Sequence, residues 1–212
     1  MSTRRVRGLE GWPIVGWAAV GVLAAAGIVF ASHGTGSEGW RQLIRATARV
    51  SGSLFLAAFL AAPLRRLWPN EATAWLLRNR RAIGVSVGVA HLAHGAAIAV
   101  FVRMTGHESP LGTLVAAGLA YLFLGLMVAT SFDASAAALG RRRWRFLHRT
   151  GLYYLWFVFG FTFGGTAATG DAISAGFALA FVLALPLRLY GLRGRAAPAS
   201  AARSAQSRRS SA

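Results

Sequence analysis

The sequence predicts an all-α, polytopic membrane protein built as a bundle of six transmembrane helices. Three observations carry that prediction. The 212 residues are 55% hydrophobic and only 14% charged, against roughly 25% charged in a soluble domain. The mean hydropathy is +0.50. The apolar residues gather into runs of about 20, the length that crosses a bilayer, and arginines lie between the runs.

The spans follow in order. Residues 1–11 form a short arginine-bearing N-terminus, and the first span runs from about Trp12 to Ala31. Its twin arginine and Val29-Phe30-Ala31 also suit a cleaved export signal, but the run is longer than a typical signal core of 7–15 residues. The second span, about Thr47 to Leu67, ends in Pro63-Leu64-Arg65-Arg66. Ala72 to Leu77 is short and apolar and reads as an interfacial segment anchored by Trp75. Arg81 to Met104 is the third span, Leu111 to Phe132 the fourth, His148 to Phe163 the heart of the fifth, and Ala172 to Tyr190 the sixth. The bundle thus occupies residues 12–190. Residues 191–212 are Ala, Ser and Arg without apolar periodicity and read as a disordered basic tail.

All 23 basic residues are arginine, and the net charge is +17. In a soluble protein that balance would suggest nucleic acid. Here 19 of the 23 fall in the N-terminus, the second and fourth loops and the tail. The positive-inside rule places those segments, and both termini, in the cytoplasm of a cell bounded by this plasma membrane. Nucleic acid is not an expected partner; membrane lipid is. The absence of cysteine excludes disulfides, iron–sulfur clusters and thiolate ligation of haem.

The third span carries the chemistry. His91 and His94 are three residues apart, and Gly84, Gly88 and Gly95 continue their face. An ionisable group inside a span is a functional candidate. The glycine face suits close packing of another helix, or a flat cofactor such as haem held by imidazole. At 1.5 Å per residue, His91 lies roughly 15 Å and His94 roughly 20 Å from Arg81, near the middle of a hydrocarbon core about 30 Å thick. His148 is three residues past Arg145, roughly 5 Å deep. His33 and His107 fall in loops. No acidic pair lies within a span, since Asp133 and Asp171 are at span ends, which argues against a proton-coupled transporter. Arg45 and Arg49 stand at the edge of the second span, suited to snorkelling or to pairing a haem propionate.

The succession Pro63-Leu64-Arg65, Arg80-Arg81, Gly84 and His94 resembles the ferric reductase-like transmembrane family. So does Thr130-Ser131, Leu139-Gly140, Arg143-Trp144 and Leu147-His148-Arg149. The resemblance covers about residues 34–189 and is closest to the branch of haem-binding membrane subunits of the periplasmic methionine sulfoxide reductase system. It implies b-type haem between the third and fifth spans and electron transfer across the plasma membrane. His94, His91 and His148 are the candidate cofactor-binding residues, with His94 and His91 the candidate axial ligands of the iron. The resemblance implies a separate donor, a flavoprotein or quinol, and a separate acceptor protein. The arginine cluster 141–145 is a topology signal that would also attract an acidic flavoprotein.

The departures from the family pattern matter equally. Related subunits carry a second fifth-span histidine 13 residues after the first; here that position is Phe161. Two-haem members carry a histidine near the start of the third span, where this chain has Arg80-Arg81. The surviving histidines differ in depth by roughly 10–15 Å, too much for one iron. The expectation is then a five-coordinate haem with Phe161 walling its open side, or an unusual second ligand such as Tyr153 or Tyr154. The alternative is a haem-free scaffold or interaction subunit in which Phe161 fills the lost haem volume.

Overall fold

The computed structural model describes residues 10–193. Arg4, Arg5, Arg7 and the basic tail after Arg193 lie outside the described residues. Within them the chain is all-helical, with seven helices: α1 (Pro13–His33), α2 (Ser37–Leu67), α3 (Glu71–Thr105), α4 (Leu111–Ala129), α5 (Asp133–Leu139), α6 (Arg141–Ala167) and α7 (Ala172–Arg193). Five of them, α1, α2, α3, α4 and α7, are long and apolar enough to cross a membrane. α6 falls short of that group: arginines crowd its first third, and the uncharged remainder, 150–167, is rich in Gly, Thr and Tyr.

α2 begins at Ser37, well before the predicted Thr47. Two further boundaries differ from the sequence reading, for local reasons. The segment Ala72–Leu77 is not a separate interfacial piece but the first turns of α3. Asn70 caps that helix reciprocally: its side chain accepts from the Thr73 amide at 2.9 Å, and the Thr73 hydroxyl accepts from the Asn70 amide at 3.2 Å. No proline follows to break the 35 residues, so the helix runs on to Gly106, which ends it at φ 65°. The connection between the predicted fourth and fifth spans contains α5, begun at Asp133 and closed by Gly140 at φ 78°.

The core is a stack of phenylalanines where α2, α6 and α7 meet. Phe55 lies 5.3 Å from Phe159 and 5.9 Å from Phe181, ring centre to ring centre. Phe163 extends the stack at 5.8 Å from Phe181. In lipid such rings gain little from leaving an already apolar solvent; dispersion and shape fit hold them. Small residues set the close approaches. A Cβ on Gly191 would stand 2.6 Å from the Pro63 side chain, so α7 crosses α2 there almost backbone to backbone. Gly88 and Gly95 lie instead under side chains of α4, Val128 and Tyr121, so part of the glycine face is covered by α4. By contrast α3 and α6 do not pack closely on each other. The space between them is what positions the site.

Asp171 fixes one end of the bundle. One carboxylate oxygen accepts from the amides of Ile173 and Ser174, at 3.0 and 3.3 Å, and so caps α7. The other accepts from Arg49 of α2 at 2.9 Å. The Ser174 amide chiefly, and the Arg49 guanidinium with it, hold the Asp171 carboxyl below its ordinary range. A depressed carboxyl adds stability above the unfolded value, near 3.9, and loses it as pH falls through the lower folded value. We expect Asp171→Asn, which keeps a capping oxygen, to flatten the acid limb of a melting-temperature profile below about pH 4. An acid limb identical to wild type would refute this coupling.

Candidate functional site

Two cavities occupy the gap between α3 and α6. The first, about 300 Å³, is lined by His91 and His94 of α3, Arg45 and Arg49 of α2, and Tyr121 of α4. Leu155, Phe159 and Phe163 of α6 close its far wall. The second, about 550 Å³, holds His148, Trp144 and four arginines. We call them the histidine cavity and the arginine cavity.

The neighbours of His94 determine its chemistry. Nδ1 lies 3.0 Å from the Ile44 carbonyl oxygen and 3.1 Å from Thr47 Oγ1. A carbonyl only accepts, so the proton sits on Nδ1. The Thr47 hydroxyl is already spent as donor to the Leu43 carbonyl at 2.7 Å, and it too can only accept from His94. The lone pair is therefore on Nε2. This is the arrangement by which a backbone carbonyl orients an imidazole ligand and raises its basicity.

His91 is placed differently. Its ring is packed against His94 at 5.1 Å, Tyr121 at 4.8 Å and Phe159 at 5.3 Å. The Tyr121 hydroxyl donates to the His91 backbone carbonyl at 3.1 Å, not to its ring. His91 Nδ1 is buried without a hydrogen-bond partner. An orphaned buried polar atom costs about 1–3 kcal/mol and calls for an explanation such as a ligand.

The structure does not bring His148 to this pair. It lines the arginine cavity, with its ring stacked on Trp144 at 4.1 Å. Its Nε2 is 2.9 Å from Thr130 Oγ1, whose hydroxyl donates to the Leu126 carbonyl at 2.7 Å. Thr130 thus accepts the Nε2 proton, and that nitrogen is not available to a metal. This agrees with the difference in depth read from the sequence.

The expected role of Phe161 is overturned. Phe161 is 74% exposed and stacks only on Phe157, outside both cavities. The reason is helical phase: 13 residues at 100° each leave about 220° between it and His148, nearly the opposite face. It neither walls nor fills the site. The α6 positions that line the histidine cavity are Leu155, Val158, Phe159, Thr162, Phe163 and Thr166. Tyr153 and Tyr154 are also excluded as ligands. Tyr154 donates to the Ala116 carbonyl at 2.9 Å, Tyr153 packs edge-on to Phe59, and neither lines the histidine cavity. Tyr121, Thr47 and the Ile44 carbonyl were not singled out by sequence. Tyr121 lies in an otherwise apolar span, the one signal that would have marked it.

Arg49 is paired with Asp171, whereas Arg45 has no acidic partner among the described residues. No family model, curated protein or solved structure matches the chain. What the site can do is therefore argued from its geometry. The donor set fits a haem ligated from one side: an oriented imidazole on α3, an unpaired guanidinium at the cavity edge, and apolar rings opposite.

The phase argument is testable with two variants. Phe161→His should add an imidazole facing lipid and leave the absorption spectrum of the purified protein, with haem added, as in wild type. Thr162→His should place one in the histidine cavity and alter that spectrum. The reverse pattern would mean that α6 is turned by about 100° from the orientation described.

Proposed function

We propose that the chain is an integral membrane electron-transfer protein of the ferric reductase-like kind, binding b-type haem in the histidine cavity. The observation that carries this reading is the hydrogen bond from His94 Nδ1 to the Ile44 carbonyl, which leaves Nε2 as a free lone pair beside the α3–α6 gap. The haem would supply one-electron chemistry. The residues of the chain do the rest. His94 would hold the haem iron, and the Ile44 carbonyl fixes its tautomer and ring angle. Arg45 would pair a propionate, because Arg49 is already held by Asp171. Leu155, Phe159 and Phe163 exclude water from the far side. No histidine of α6 lines this cavity, so a second imidazole for the iron would have to come from His91. Donor and acceptor are separate molecules, a flavoprotein or quinol and a partner protein.

One observation favours a second reading, a haem-free scaffold on the same bundle. The α6 wall of the cavity offers apolar side chains and the hydroxyls of Thr162 and Thr166, with no imidazole. A dithionite-reduced spectrum separates the two. The first reading expects a Soret and an α band, lost in His94→Ala and kept in His148→Ala, and ready binding of carbon monoxide by the open iron face. A protein with only its 280 nm absorption after haem addition favours the second reading.

We further propose six spans in the plasma membrane, with α6 crossing alongside the five more apolar helices and both termini cytoplasmic. Support comes from the arginine asymmetry of the sequence and from the packing of α6 against α4 and α7. A reporter enzyme fused after Ala212 should be active in the cytoplasm. Activity in the periplasm alone would remove one span from this topology.

A further inference from the structure

The arginine cavity carries more charge than its surroundings balance. Arg78, Arg80 and Arg81 of α3 and Arg188 of α7 line it. Arg81 is paired with Asp133 at 2.7 Å, and Arg78 with Glu10 at 3.4 Å. Arg80 and Arg188 have no acidic partner among the described residues. A guanidinium does not lose its proton in a protein, so neither charge is relieved by deprotonation.

Arg188 is also held in place. One of its terminal nitrogens donates to the Phe59 carbonyl. Its guanidinium carbon lies 4.5 Å from the Phe59 ring centre and 5.8 Å from that of Tyr153. Yet its Nε is buried with no hydrogen-bond partner. A fixed cation with an unused donor, beside a second unpaired cation, is a preformed anion site rather than a snorkelling side chain. Leu124, Met127, Val128 and Leu152 line the same cavity, so it accommodates hydrocarbon next to the charge.

We propose that the arginine cavity binds an anionic phosphoryl group, shared between Arg80 and Arg188. Phosphate suits it better than a carboxylate because it offers more acceptor oxygens to two guanidinium forks approaching from different helices. The group belongs either to the headgroup of an acidic lipid or to a free phosphate compound. The inference does not depend on haem in the other cavity.

The test uses the full chain, stripped of lipid in neutral detergent and titrated with phosphatidylglycerol or phosphatidylcholine under native mass spectrometry. Phosphatidylglycerol should bind at least about tenfold more tightly, and Arg80→Gln and Arg188→Gln should each remove about tenfold, the size of one charge-assisted contact. Arg141→Gln, outside the cavity, should bind as wild type. Displacement of the lipid by millimolar inorganic phosphate, or a rise in melting temperature with phosphate alone, would assign the site to free phosphate compounds. If a Gln variant melts early, the Lys variant replaces it. Lys keeps the charge but not the fork, and several-fold weaker binding is expected. Equal binding of both lipids with no phosphate effect, or Gln or Lys variants that bind as wild type, would overturn the proposal.

Discussion

In hydrocarbon a polar group has no water to fall back on, so each one must be satisfied by the protein. That constraint decides the details of this bundle. It fixes the tautomer of His94, because the Ile44 carbonyl accepts only a proton on Nδ1. It ties His148 to Thr130, and Tyr154 to the Ala116 carbonyl. It also makes the exceptions conspicuous. Ser51 Oγ, His91 Nδ1 and Arg188 Nε are buried without partners, and the last two belong to residues lining different cavities of the same gap.

The gap is a product of residue size. Gly191 lets α7 lie close to α2, while Gly88 and Gly95 of α3 receive the Val128 and Tyr121 side chains of α4. On the other side, the phenylalanine stack ties α6 to α2 and α7, away from α3. A helix pair held apart by its neighbours leaves room that neither helix can close alone. Chemistry-bearing side chains then collect along that room because both helices present them to it.

The helices were legible in the sequence because lipid demands runs of a fixed length, and the arginines punctuate them. The merger of residues 72–77 into α3 was less so: Asn70 and Thr73 spell a cap, but the adjoining arginines suggested a loop. The histidines of α3 were legible as candidates, since charge-capable residues are rare at that depth. Their surroundings were not. The partners of His94 sit on α2 nearly 50 residues away, and no periodicity encodes which carbonyl a ring will meet. Phe161 was misplaced because spacing along a chain was read without helical phase. The arginine cavity escaped for a related reason: Arg188 joins Arg80 and Arg81 only through the packing of α7 on α2.

Because α3 runs unbroken past both cavities, it acts as a ruler between them. Gly84 lines one and His94 the other, ten residues apart, which on a straight helix is about 15 Å. Over that distance, with an effective dielectric of about 20, one unit of charge is worth about 1 kcal/mol to another. An anion entering or leaving among the arginines would therefore change the electron affinity of anything held by the histidines, with no atom between the two having to move.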